Sequence, residues 1–181
     1  MSNPSLRRRT WLGLGLASGA ALALAGWGLA AAPSGPALAP SGALSPAVQV
    51  MLRTLGGAVL DGSLPSEPAA HAQALDGLLV RIPGVVVALP PHAQAELGQL
   101  LTVLAHPWGR RALAGLAPDW AEASVADVTA ALNAMRSSSL APRQQAYHGL
   151  REVIAGAYFA DPATWAVLGY PGPRSLSQGV A

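Results

Sequence analysis

The sequence predicts an all-α domain: a compact bundle of five or six helices that follows an N-terminal export segment. Three observations predict it. Ala, Leu and Gly dominate a chain that is 51% hydrophobic, while Phe occurs once and Tyr three times. Ala and Leu favour helix, and strand-forming aromatics are scarce. Apolar residues recur at three- and four-residue spacing in several separate stretches, with Pro, Gly and Ser between them where helices start and stop. With charged residues at only 11%, the chain is too apolar to be disordered, and its 181 residues less an export segment leave about one domain.

The first element spans residues 1–32. Arg8-Arg9-Thr10-Trp11-Leu12 has the order of a twin-arginine signal: paired Arg, any residue, a large apolar residue, then Leu. The other register, Arg7-Arg8, puts Thr10 at the apolar position and fits less well. The uncharged run over 11–32 is rich in Ala and Gly, so it is only mildly hydrophobic, as signals of this route are. Export places the chain in the periplasm. An uncleaved anchor is the alternative, because 22 residues span a bilayer with Arg7 to Arg9 left in the cytoplasm. It would hold the chain on the periplasmic face of the inner membrane. Pro33 spoils cleavage after Ala32, whereas cuts after Ala30 or Ala43 avoid it. Gly13, Gly15 and Gly19 imitate a nucleotide loop, but their spacing is wrong and no strand precedes them.

Residues 33–46, with Pro33, Pro36, Pro40 and Pro46, read as a stiff, extended linker. The helical domain covers 47–174 and a disordered tail 175–181. Ser45-Pro46 starts a first helix, with Val48, Met51, Leu52, Leu55 and Val59 on one face. A second runs over about 68–82, burying Leu75, Leu78, Leu79 and Ile82, and Pro83-Gly84 interrupts it. Residues 85–89 form a buried helical turn or a short strand; the turn is preferred, since no partner strand is visible. Pro90-Pro91 opens a third helix with Leu97, Leu100, Leu101 and Leu104, and His106-Pro107 ends it. A short helix follows over 108–116. Ser124 to Asp127 is a capping-box variant opening a helix with Val128, Ala131, Leu132 and Met135. Ser137 to Ser139 break the chain, and Pro142 opens the last long helix with Tyr147, Leu150, Ile154 and Tyr158. Asp161-Pro162 caps a final turn.

Charge excludes one class of partner. All 11 basic residues are Arg, and three of them lie in the first ten positions. Beyond residue 40 the chain carries 8 Arg against 9 acids, a formal charge of −1, so no basic face argues for nucleic acid. The lack of Cys excludes disulfides, thiolate metal sites, c-type haem attachment and iron–sulfur ligation. His71, His92, His106 and His148 are too far apart for a metal motif. Asp76, Glu96, Asp119 and Glu122 read as solvated faces, and Ser63 lies in a turn rather than a nucleophile elbow. No catalytic, cofactor-binding or metal residue is assigned, and enzyme activity in this chain alone is not expected.

Four aromatics stand out. Trp108, Trp120, Trp165 and Tyr170 all lie at helix ends or in loops. Each either plugs the end of a helical core or anchors a partner, since Trp and Tyr dominate interface hot spots. Arg110, Arg111 and Arg143 read as exposed, with a partner's acids as the alternative.

The C-terminal stretch carries a resemblance. Arg136-Ser137-Ser138, Tyr147-His148-Gly149-Leu150-Arg151, Tyr158-Phe159-Ala160-Asp161-Pro162-Ala163-Thr164-Trp165 and Leu168-Gly169-Tyr170-Pro171-Gly172-Pro173 resemble the gluconate 2-dehydrogenase subunit 3 family. Ala58 to Pro65 looks like that family's first helix and its Pro turn. The resemblance spans about residues 48–174 and is specific at the C-terminal end. It implies a small subunit that escorts a large FAD-dependent dehydrogenase of the glucose–methanol–choline type through the twin-arginine translocase. FAD would sit in the large subunit, with a cytochrome c subunit as electron acceptor. Under this reading Trp108, Trp120, Trp165, Tyr170, Pro171, Gly172 and Pro173 are candidate interface residues. The competing expectation is a free-standing periplasmic helical binding or envelope protein.

Overall fold

The computed structural model describes residues 37–172, and its α-helices begin at side-chain caps or at a proline in the first turn. Helix α1 (Pro46–Val59) starts at Ser45, whose hydroxyl accepts from the Val48 amide at 3.4 Å, with Pro46 at the first helical position. Helix α2 (Pro68–Val87) is capped by Glu67, whose carboxylate accepts from the Ala69 and Ala70 amides at 3.0 and 2.6 Å. Helix α3 (Pro91–Ala105) follows Pro90. The single turn α4 (Pro107–Gly109) runs into a π turn, Arg110–Ala114, which Gly115 ends in the left-handed conformation at φ 72°. Helix α5 (Val125–Arg136) carries the full capping box, with Ser124 and Asp127 bonding each other's backbone amides. Helix α6 (Ala141–Phe159) is followed by a 3-10 turn, Pro162–Leu168, whose cap Asp161 accepts from the Ala163 amide at 3.0 Å. Among the described residues the architecture is all-α, as the sequence predicts. Their only β feature is an isolated bridge between Leu38 and Leu44.

Two expectations need correction. Pro83 does not interrupt the second helix, which continues to Val87. Pro83 lacks an amide hydrogen, so the ladder loses one bond. Yet the apolar face extends past it from Leu75, Leu78 and Ile82 to Val86, all buried. Burying such side chains stabilises by about 1.5–3 kcal/mol each, enough to carry the helix onward. Nor is the described part of the 33–46 stretch an extended linker. Residues 37–45 turn back through Ala39–Ala43, Gly42–Ala39 and Ser45–Ala37 backbone bonds. Gly42, at φ 80°, lies so close to α2 that a Cβ there would sit 2.8 Å from the Pro83 carbonyl oxygen. Leu38 rests on Gly98 of α3. Entropy favours an open Pro-rich chain, but burial of Ala37 and half-burial of Leu38 and Leu44 hold this turn down.

One core joins α1, α2, α3, α5 and α6. Met51, Leu52 and Leu55 of α1 meet Leu78 and Ile82 of α2, Leu101 and Leu104 of α3, Met135 of α5, and Leu150 and Ile154 of α6. The most extensive helix pairing is α2 with α6, and α1 packs against both α5 and α2. At the α1–α2 contact Gly56 permits close approach: a Cβ there would lie 2.7 Å from Leu78 Cδ2. Residues 85–87 are the last turn of α2, which resolves the strand-or-turn alternative in favour of helix. No helix among the described residues is long and apolar enough to cross a membrane.

Candidate partner interface

The end of α6 organises the residues that carry the C-terminal resemblance. Tyr158 is buried, and its phenol donates to the Ser63 carbonyl at 2.9 Å. That bond joins the turn after α1 to the last long helix, so the two stretches singled out in the sequence are neighbours in space. Burial raises the Tyr158 pKa; Arg81 opposes that shift and Asp161 adds to it. Arg81 reaches across from α2, donating from Nε to the Ala157 carbonyl at 2.9 Å and pairing through Nη1 with Asp161 at 3.1 Å. A guanidinium thereby satisfies one of the last carbonyls of α6, where the helix dipole is negative.

Beyond this joint the chain forms a small aromatic turn. Trp165 is half-buried, and its indole donates to the Phe159 carbonyl at 2.8 Å. Tyr170 lies against it with ring centroids 5.3 Å apart, and Gly172 sits over the same indole. Gly169 makes the return possible at φ 66°. The outer surface is apolar: Val167, Leu168 and Tyr170 are 54%, 57% and 48% exposed. Trp165 is therefore the seat of the turn, and Val167, Leu168 and Tyr170 are what the turn presents to solvent. Val167 and Leu168 are not among the interface candidates read from the sequence, because spacing alone does not separate an exposed apolar residue from a buried one.

The other candidates separate. Trp120 is buried at 4% exposure, its indole donating to the Leu104 carbonyl at 2.8 Å, so it is a core plug and not a partner anchor. Its own carbonyl accepts from Thr54 at 2.8 Å, tying the 116–124 loop to α1. Trp108 is the opposite case, 75% exposed. Pro171 is exposed and Gly172 half-buried, while Pro173 and the candidate export-signal residues Arg8, Arg9, Trp11 and Leu12 lie outside the described residues.

Arg110 and Arg143 are not free surface cations. Arg110 is 3% exposed; its Nη1 pairs with Asp119 at 2.8 Å and its Nη2 donates to the Ala117 carbonyl at 3.4 Å. A buried guanidinium is tolerated only when paired, and this pair folds the 115–119 loop onto the π turn. Arg143 donates from Nε to the Leu113 carbonyl at 2.8 Å. Nothing in the residues around Arg110 marks it in sequence as buried. Arg111 is exposed, as expected. His71 approaches the Pro65 carbonyl at 3.3 Å, His106 accepts from the Trp108 amide at 3.3 Å, and His92 and His148 are exposed. No group of three or more His, Asp or Glu among the described residues is placed to hold a metal ion.

Comparison with family models, with curated proteins and with solved structures returns no match for this chain. The resemblance to the gluconate 2-dehydrogenase small subunits thus rests on the quoted motifs and not on a match over the whole chain.

Proposed function

We propose that the chain is a non-catalytic accessory subunit that escorts a folded, FAD-dependent dehydrogenase through the twin-arginine pathway and remains its structural partner. The observation that carries this reading is the aromatic turn after α6. It is tied to the bundle through Trp165, yet it turns Val167, Leu168 and Tyr170 to solvent. Large apolar side chains exposed together on an anchored turn favour use as a binding surface. The signal motif at Arg8 and Arg9 supports the same reading, because this route carries folded cargo. FAD belongs to the large subunit under this proposal, and a cytochrome c subunit would take the electrons.

Affinity purification of the tagged chain from periplasm tests the proposal. The expected eluate holds a larger, yellow flavoprotein in fixed ratio. Elution alone as a monomer overturns the escort reading and favours a free-standing periplasmic protein.

A further inference from the structure

The opposite end of α6 carries a different surface. On α4, its π turn and the glycine that ends it, Trp108, Arg111, Ala112 and Gly115 are all exposed. Gly115 borders the guanidinium of Arg143 in the first turn of α6, where a Cβ would meet Nη2 at 3.0 Å. Leu140, just before that helix, is 59% exposed, and Arg136 ends α5 four residues earlier. Arg111 and Arg136 are exposed and form no ion pair with any carboxylate among the described residues, while Arg143 is half-buried and held by the Leu113 carbonyl. The segments that build this end, 107–118 and 128–151, contain no Asp or Glu at all. Acids instead lie on the loop and cap at Asp119, Glu122 and Asp127.

We propose that this end of the bundle docks on an anionic lipid surface, with Trp108 and Leu140 at the headgroup boundary and Arg111 and Arg136 facing lipid phosphates. Charge complementarity is the first argument: the exposed guanidiniums of Arg111 and Arg136, in no ion pair among the described residues, attract an anionic layer. The second is shape. Trp108 and Leu140 stand exposed on separate elements, and an indole with a polar N–H settles at a membrane boundary. A fluid headgroup layer satisfies scattered cations without matched geometry, whereas an acidic protein would need carboxylates placed for each. The surface lies about 27 Å along α6 from the aromatic turn. Lipid docking and partner docking therefore do not compete, and this inference stands independently of the escort reading.

The chain has no cysteine, so a single engineered thiol reports one location. The full chain carrying Ala112→Cys is labelled with a polarity-sensitive fluorophore and mixed with vesicles. Phosphatidylglycerol and phosphatidylcholine in equal parts form one set, phosphatidylcholine alone the other. Val125→Cys, at the far end of α5 from Arg136, is the control site. The expected result is a blue shift at position 112 on the anionic vesicles only, lost at high salt, with little shift at position 125. Arg111→Gln and Arg136→Gln should each weaken the effect about fivefold, the loss of one surface cation. Trp108→Ala should weaken it as well. Neutral vesicles control for attachment through residues 11–32. Equal shifts on both vesicle types, equal shifts at both sites, or no shift at position 112 overturn the proposal. A shift produced only by an acidic protein also overturns it, and assigns the surface to a protein partner.

Discussion

Tyr158 donates its phenolic hydrogen to the Ser63 carbonyl at 2.9 Å, which fastens the turn after α1 to the last long helix. Ser63 is itself held by a 2.8 Å bond from its amide to the Leu60 carbonyl. Replacing Tyr158 by Phe keeps the ring and leaves that carbonyl without its donor. The expected loss is about 1–2 kcal/mol in urea unfolding. Because burial raises the Tyr158 pKa, the folded state holds the proton more tightly than the unfolded chain. Stability from this group is full below the ordinary tyrosine range and is lost as pH rises through the raised value. The Phe variant should lack that alkaline loss. An equal alkaline slope in both proteins would show that Tyr158 does not titrate with unfolding.

Gly109 marks a close approach of two backbone segments. A Cβ there would fall 1.9 Å from the Val103 carbonyl oxygen, which is backbone and has no easy way to move. Gly109→Ala should cost about 3 kcal/mol or more. Gly156 in α6 is exposed, with nothing within 4 Å of the same position. Gly156→Ala should therefore stabilise by about 0.5–1 kcal/mol through helix propensity. Similar effects from both substitutions in thermal unfolding would contradict the geometry.

Two helix caps respond to acid. Ser124, through its side chain and then its amide, holds the Asp127 carboxyl below the ordinary range. The Ala69 and Ala70 amides do the same for Glu67. Both groups are acids with lowered folded pKa values. Their contributions are present above the ordinary carboxylate range and fade as pH falls through the lowered values. The double variant Glu67→Gln and Asp127→Asn should lose less stability between neutral pH and pH 3 than the parent does. Parallel acid profiles for the two proteins would remove these caps from the account.

The aromatic turn separates seat from surface. Leu168→Ala and Tyr170→Ala should each weaken co-purification of the flavoprotein, by about 2 kcal/mol if either is a hot spot, with little change in melting temperature. Trp165→Ala should lower both, since its indole bonds the Phe159 carbonyl. Intact binding in the Leu168 and Tyr170 variants would move the interface elsewhere.

For export, Arg8→Lys with Arg9→Lys should leave the chain, and any flavoprotein bound to it, in the cytoplasm. Fractionation and blotting read this directly. Normal periplasmic accumulation of the variant would sink the twin-arginine assignment.

Local chemistry determined much of the fold. Ser45-Pro46, Ser124 with Asp127, and Asp161-Pro162 start their elements by satisfying amides within four residues, so short-range sequence is enough to find them. Helical spacing likewise located the core faces, because a buried stripe needs only the 3.6-residue period. What the tertiary structure alone decided is which side chains that stripe leaves out. Trp108 and Trp120 look alike in sequence, yet one projects into solvent and the other plugs the core against Leu104. Arg110 and Arg111 are adjacent, yet only Arg110 is buried, on Asp119. Pro83 reads as a stop, but Val86 packs beyond it. In each case the deciding energy comes from a neighbour distant in sequence, and periodicity and caps carry no record of it.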